Sequence, residues 1–133
     1  MKLILIIVSV TFFVSNVEAK YIKKAYFAGG CFWCMEESFD KIDGVIKTVS
    51  GYSGGHVKNP TYKEVIYKDT GHVETIEISY DIRKVNYIDL VDIFWKNIDP
   101  FDKYGQFCDK GKSYRSVIFF ENEKQKKIIK KTI

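Results

Sequence analysis

Two thiols, Cys31 and Cys34, stand three residues apart in the run Cys31-Phe32-Trp33-Cys34-Met35, which follows Gly29-Gly30 and precedes Glu36-Glu37-Ser38-Phe39. The pair lies beside two aromatic rings at what reads as the first turn of a helix. Unpaired backbone N–H groups and the helix dipole favour the thiolate there, and the thiolate is the nucleophilic form. The glycines let the backbone approach a substrate closely. Chemistry at sulfur is therefore the first reading. An inert buried cysteine is the bland alternative for a lone residue, and a second thiol and two glycines weigh against it. Cys108 makes the count odd, so at least one thiol is expected to be free, exchanging or catalytic.

The elements that must position these groups follow from periodicity. Lys24 to Ala28 reads as a buried first strand. Phe32, Met35, Phe39 and Ile42 recur at helical spacing until Asp43-Gly44 stops the helix. Neighbours on a helix are turned by roughly 100°, so Phe32 and Trp33 cannot both enter the core, and Phe32 suits it better. Val45 to Tyr52 is a second strand, and Gly51 to Pro60 a loop. His72 to Tyr80 alternates as a third strand. It puts Glu74 on the face of Ile76, Ile78 and Tyr80, where burial would keep its carboxyl protonated, and Glu77 on the opposite face.

Asn86 can cap a helix through Ile98, with Leu90, Val91, Phe94 and Ile98 as its apolar stripe. Asp99 to Ser113 has no period and is long for a connection, which is often a functional sign. Tyr114 to Phe120 reads as a fourth strand, and Asn122 with Gln125 as the start of a last helix. The order β-α-β-β-α-β-α predicts an α/β fold of the α+β kind, a two-layer sandwich with a ferredoxin-like β-α-β-β-α-β core.

Residues 1–19 read as a secretory signal: Lys2, an apolar run from Leu3 to Val14, and Val17-Glu18-Ala19 before the cut. The run is short for a membrane span. A single domain over 20–133 is expected, exported to a periplasmic or other extracytoplasmic location, with no stable membrane insertion after processing. The net charge of +4 is modest. Its densest part, Lys124, Lys126, Lys127, Lys130 and Lys131, fits a solvated helix face and not a nucleic-acid footprint.

Six blocks carry a resemblance: Gly30-Cys31-Phe32-Trp33, Gly51-Tyr52 with Gly54-Gly55, Asn59-Pro60-Thr61-Tyr62, Gly71-His72-Val73-Glu74, Asp99-Pro100, and Tyr114-Arg115-Ser116. In order and spacing they resemble peptide methionine sulfoxide reductase of the A type, from about Ala25 to Phe120. The resemblance implies thiol-dependent reduction of methionine S-sulfoxide, peptide-bound or free, with no cofactor, as repair of oxidised proteins. It makes Cys31 the nucleophile at the sulfoxide sulfur. Phe32 and Trp33 become walls of a pocket for the S-methyl group, and Glu74 the acid that protonates the departing oxygen. Tyr62, Tyr114 and Asp109 are then hydrogen-bonding or ordering groups. A sulfenic acid left on Cys31 needs a second thiol to form a disulfide. Cys34 and Cys108 both remain candidates, and a thioredoxin-like donor would restore the dithiol. A monomer is expected. Family members continue past the helix near Asn122, so the chain is expected to lack a C-terminal part, leaving Ile128, Ile129 and Ile133 without cover.

Three rivals stand beside this reading. One is a structural metal site from Cys31, Cys34, Cys108 and either His56 or His72, although a single C-x-x-C pair is weak support. Another is a general thiol-disulfide oxidoreductase, which usually has tryptophan before the first cysteine and not between the two. The third is an inactive remnant of the reductase.

Overall fold

The computed structural model describes residues 19–133. The leader expected over residues 1–19 lies, apart from residue 19, outside them. The elements are β1 (Ile22–Ala28), α1 (Phe32–Asp40), β2 (Val45–Ser53), α2 (Tyr62–Tyr67), β3 (Val73–Asp81), α3 (Tyr87–Lys96), β4 (Gly105–Gln106), β5 (Asp109–Lys110), a 3-10 turn at Lys112–Tyr114, β6 (Val117–Phe119) and α4 (Glu123–Thr132). β2, β3, β1 and β6 form one sheet in that order, with every pairing antiparallel. This is the split β-α-β arrangement expected, with β6 as its fourth strand. Among the described residues no helix is long and apolar enough to cross a membrane.

α1 and α3 lie on one face of the sheet because their apolar stripes match the pleat beneath them. Phe32, Met35 and Phe39 are the buried residues of α1, and Tyr87, Leu90, Val91 and Phe94 those of α3. Phe27 joins the two layers, its ring 5.5 Å from Phe39 and 5.2 Å from Phe94. Ala25 and Phe27 stand opposite Ile78 and Ile76 in register, all four fully buried. The other face is polar, with Lys24 Nζ 2.7 Å from Glu77 Oε1. A one-residue slip of β3 would move Glu74 to that wet face.

Several boundaries differ from the sequence reading. α1 stops at Asp40 and α3 at Lys96, short of Ile42 and Ile98, although both isoleucines still pack on the core. The fourth strand is only Val117–Phe119, and Tyr114 ends the 3-10 turn before it. α2 and the β4-β5 hairpin are additional. The lack of cover expected for Ile128, Ile129 and Ile133 holds for Ile133 alone. Ile128 and Ile129 pack against the core, and α4 is tied down by Trp95 Nε1–H donating to Thr132 Oγ1 at 2.9 Å.

Candidate active site

Gly30 and Cys31 turn the chain from β1 into α1. Gly30 has φ +88°, and a Cβ there would come within 2.7 Å of Gln106 Cβ, so both conformation and space require glycine. Cys31 is the N-cap, half-buried, with extended backbone (φ −60°, ψ 118°) and no side-chain capping bond. The first-turn N–H groups are therefore open to other acceptors.

Glu74 takes one of them. Phe32 N–H donates to Glu74 Oε2 at 3.0 Å, fastening the carboxyl one residue from the Cys31 thiol. Glu74 is 2 % exposed. Burial pushes its pKa above the ordinary glutamate value, the Phe32 N–H partly opposes this, and the negative charge of Asp109 adds to the rise. Glu77, on the outer face, shows the reverse: the hydrogen bond from Lys24 lowers its pKa.

The rings form a group around this carboxyl. Phe32 is buried and Trp33 is 62 % exposed, dividing inside from outside as helical geometry requires. Phe32 lies 5.2 Å from Trp33, 5.9 Å from Tyr52 and 6.4 Å from Tyr62, and Trp33 lies nearly parallel to Tyr62 at 6.3 Å, measured between ring centroids. Tyr114 stands near Tyr62 and Glu74. Burial and the nearby Glu74 carboxyl push its phenol up, so it keeps the proton it can donate to a neutral oxygen acceptor.

Tyr62 owes its place to α2. Glu64 N–H donates to Thr61 Oγ1 at 3.3 Å while Thr61 N–H donates to Glu64 Oε2 at 3.0 Å, a reciprocal cap on a helix of six residues. Thr61→Ala is expected to cost about 1 kcal/mol in urea unfolding. It should also loosen Tyr62, read as faster amide exchange across α2. The backbone and side-chain bonds from Thr61 and Lys68 hold the Glu64 carboxyl at about 2. The contribution of the ionised cap is present above the ordinary value and is lost only as pH falls through about 2.

Tyr52 has no role in the sequence reading, yet it belongs to this group. It stands directly across from Glu74 in the β2-β3 register, and burial, then Glu74 and Tyr62, push its phenol up. The Gly51-Tyr52 block marks its position without a role, and strand pairing is what brings it to Glu74.

The three thiols share one cavity of about 330 Å³, whose walls include Cys31, Cys34, Gln106, Cys108 and Asp109. The charge of Asp109, at the start of β5, also acts on Glu74, Cys34 and Tyr114, raising the pKa of each. Desolvation pushes the Cys34 thiol up, and the neighbouring Cys31 thiol acts in the same direction. The loop is fastened by Gln106, which is 1 % exposed. Its Oε1 accepts from Asp99 N–H at 2.6 Å, and its Nε2 donates to Asp99 O at 2.8 Å and Gly105 O at 2.7 Å. A larger groove of about 460 Å³ between Tyr80, Tyr87 and Ile128 shares no wall residue with the thiol cavity.

β4 and β5 are joined by only Phe107 and Cys108, since Gln106 pairs with Asp109. Phe107 has φ +50°, the left-handed region, at the first central position of a turn that suits glycine. Its ring is 65 % exposed at the rim of the cavity and supplies no core packing to offset the strain. Phe107→Gly is expected to stabilise the chain by about 1 kcal/mol, seen as a higher urea midpoint with an unchanged slope.

The rival metal grouping is not assembled. His72 accepts from Gly55 N–H at Nδ1 (3.3 Å), so its proton lies on Nε2, which donates to Val57 O at 2.8 Å. Both ring nitrogens are thus committed to the loop before α2. Among the described residues no group of three or more His, Cys, Asp or Glu side chains could hold a metal ion.

The comparisons with known proteins agree with this geometry. Residues 23–133 match the family model described as peptide methionine sulfoxide reductase. Peptide methionine sulfoxide reductase MsrA of Streptococcus agalactiae is 53 % identical over 111 residues, covering 84 % of this chain and 66 % of that protein. The MsrA of Listeria monocytogenes is 54 % identical over 111 residues, covering 84 % and 63 %. The chain spans about two thirds of the length of these curated relatives. Among solved structures, methionine sulfoxide reductase A of Corynebacterium diphtheriae superposes with a TM-score of 0.77 at 31 % identity, over 84 % of this chain and 56 % of that one. Reduced Mxr1 from Saccharomyces cerevisiae gives 0.76 at 29 %, over 84 % and 68 %. With the fold, the Gly30-Cys31-Phe32-Trp33 turn and a family match that runs through nearly every described residue, the chain belongs to the peptide methionine sulfoxide reductase family.

Proposed function

We propose that this chain reduces methionine S-sulfoxide, in peptides or free, to methionine. The observation that carries the reading is the buried Glu74 carboxyl, held by the backbone N–H next to Cys31 beneath a group of aromatic rings. The sulfoxide methyl lies against Phe32 and Trp33, and its oxygen accepts from Tyr62 and Tyr114. The Cys31 thiolate attacks the sulfoxide sulfur as Glu74 delivers its proton to the oxygen, which becomes a far better leaving group than a bare oxyanion. The hydroxyl passes to Cys31 as a sulfenic acid and methionine departs, oxidising the enzyme sulfur as the substrate sulfur is reduced.

Cys34 then attacks the sulfenic sulfur, giving the Cys31–Cys34 disulfide and water. Cys34 lies one helical turn from Cys31 on the same cavity, which supports it over Cys108 as the resolving group. A thioredoxin-like dithiol returns both cysteines to the reduced state, and no cofactor takes part. The leader supports export and repair of oxidised envelope or secreted proteins, by a monomer. N-terminal sequencing of the protein from a cell envelope fraction should begin at Lys20, and a cytosolic chain retaining residues 1–19 would contradict export.

The test of the activity is incubation of the chain with peptide methionine S-sulfoxide or R-sulfoxide and dithiothreitol. Methionine from the S form alone supports the reading. A folded chain that yields none is an inactive remnant instead.

A further inference from the structure

We propose that the rim of the thiol cavity formed by Cys34, Phe107, Cys108 and Lys96 is a docking edge for a protein dithiol, with Phe107 as its apolar anchor. The inference rests on the proposed reaction, because a disulfide at this cavity must be returned to thiols by an outside reductant. Cys34 and Cys108 are both exposed and open on the same cavity as the half-buried Cys31. Both candidate disulfide partners of Cys31 thus stand at this rim, exposed in the thiol form.

Phe107 immediately precedes Cys108 and holds its ring out to solvent from a left-handed backbone position that glycine would occupy without strain. The fold gains no burial from this ring, so its benefit is sought outside the chain. Thiol–disulfide exchange between proteins has a geometric demand that a small dithiol escapes. The attacking thiolate must line up with the S–S bond, and the protein behind it must be held in that orientation. An exposed aromatic ring beside the target sulfur supplies such a hold. Lys96, from the end of α3, lines the same cavity and favours a partner with an acidic group at the margin of an apolar surface.

In the exchange, a partner thiolate attacks the exposed sulfur and Cys31 leaves as thiolate. The partner's second thiolate then attacks the mixed disulfide, so the partner is oxidised as this chain regains its dithiol, with two electrons moved and no atoms lost. Phe107 contacts the partner's surface and takes no part in the bond changes.

The test uses the disulfide form made with hydrogen peroxide, which oxidises Cys31 directly and makes the measurement independent of activity on methionine sulfoxide. Its reduction is followed by mass spectrometry of quenched samples, with reduced bacterial thioredoxin or dithiothreitol as the reductant. Phe107→Gly is expected to slow reduction by thioredoxin at least about tenfold while leaving reduction by dithiothreitol within about twofold. Phe107→Leu, which keeps an apolar side chain at the same backbone position, should retain most of the thioredoxin rate. Equal slowing with both reductants would make Phe107 a structural residue and overturn the proposal, as would an unchanged thioredoxin rate in Phe107→Gly. Failure of the unaltered chain to form methionine from the sulfoxide, with normal thioredoxin reduction of the peroxide-made disulfide, would instead count against the reaction proposed above.

Discussion

Cys31→Ser is expected to lose methionine formation by a factor on the order of 10⁴ or more, because a serine hydroxyl lacks the nucleophilicity of a thiolate. The loss falls on the first chemical step, the attack on the sulfoxide sulfur. It should show in a single-turnover experiment, in which enzyme exceeds S-sulfoxide and released methionine is counted per chain. Cys34→Ser separates the steps. It should still release one methionine per chain in the first turnover and then slow, to the extent that Cys108 is a poor substitute in resolving the sulfenic acid. A trapping reagent for sulfenic acid, such as dimedone, should label Cys31 in Cys34→Ser and nothing in Cys31→Ser. Retention of a first-turnover burst by Cys31→Ser would remove Cys31 from the role of nucleophile.

Glu74→Gln should be the next most damaging change, with a loss of about 10²–10⁴ in the first step, the usual contribution of a positioned general acid. The amide still accepts from Phe32 N–H, so the start of α1 should hold and the loss should appear in rate and not in folding. The pH dependence identifies the cause. Burial raises the Glu74 pKa, and the acid form is the one that works, so first-step rate should be held below that value and fall as pH rises through it. Glu74→Gln should lack that alkaline fall. Stability has a matching sign. Between the ordinary glutamate pKa and the raised folded one, the unfolded chain releases its proton and the folded chain keeps it, so stability decreases as pH rises through that window. Above it the cost is fully present. Glu74→Gln removes this slope, and urea unfolding across the same pH range measures it. An unchanged slope in the variant would place the buried charge elsewhere.

Much of the site was legible because it sits on elements with a clear period. Glu74 could be placed on the core side of β3 from alternation alone, since Ile76 and Ile78 share its face. The split of Phe32 from Trp33 followed from helical geometry. α2 escaped because six residues with Val65 alone buried carry no readable stripe, although Thr61 and Glu64 stood at capping-box spacing. The β4-β5 hairpin escaped because strands of two residues have no alternation. Tyr114 was placed in a strand, where it ends a 3-10 turn: the run after Ser113 is aromatic and β-branched, and residue types do not distinguish the two. Phe107 is a harder case still. Its residue type argues against the backbone conformation it adopts, so only coordinates reveal it. Tyr52 and Gln106 depend on partners far away in the chain, one through strand register and the other through a side-chain stem wedged against Gly30.

That wedge links two motions that the chain could otherwise make independently. Gly30 admits Gln106 because it has no side chain, and Gln106 in turn fastens the segment from Asp99 to Gly105 that leads into the hairpin. A displacement of the hairpin is expected to carry the Gln106 stem off Gly30, and the cavity wall beside Cys31 with it. Opening of the hairpin is therefore expected to raise the accessibility of a nucleophile that is half-buried when the hairpin is in place. Alkylation of Cys31 by a bulky maleimide and deuterium uptake at the Gln106 amide should respond together to temperature and denaturant, two clocks reading one opening.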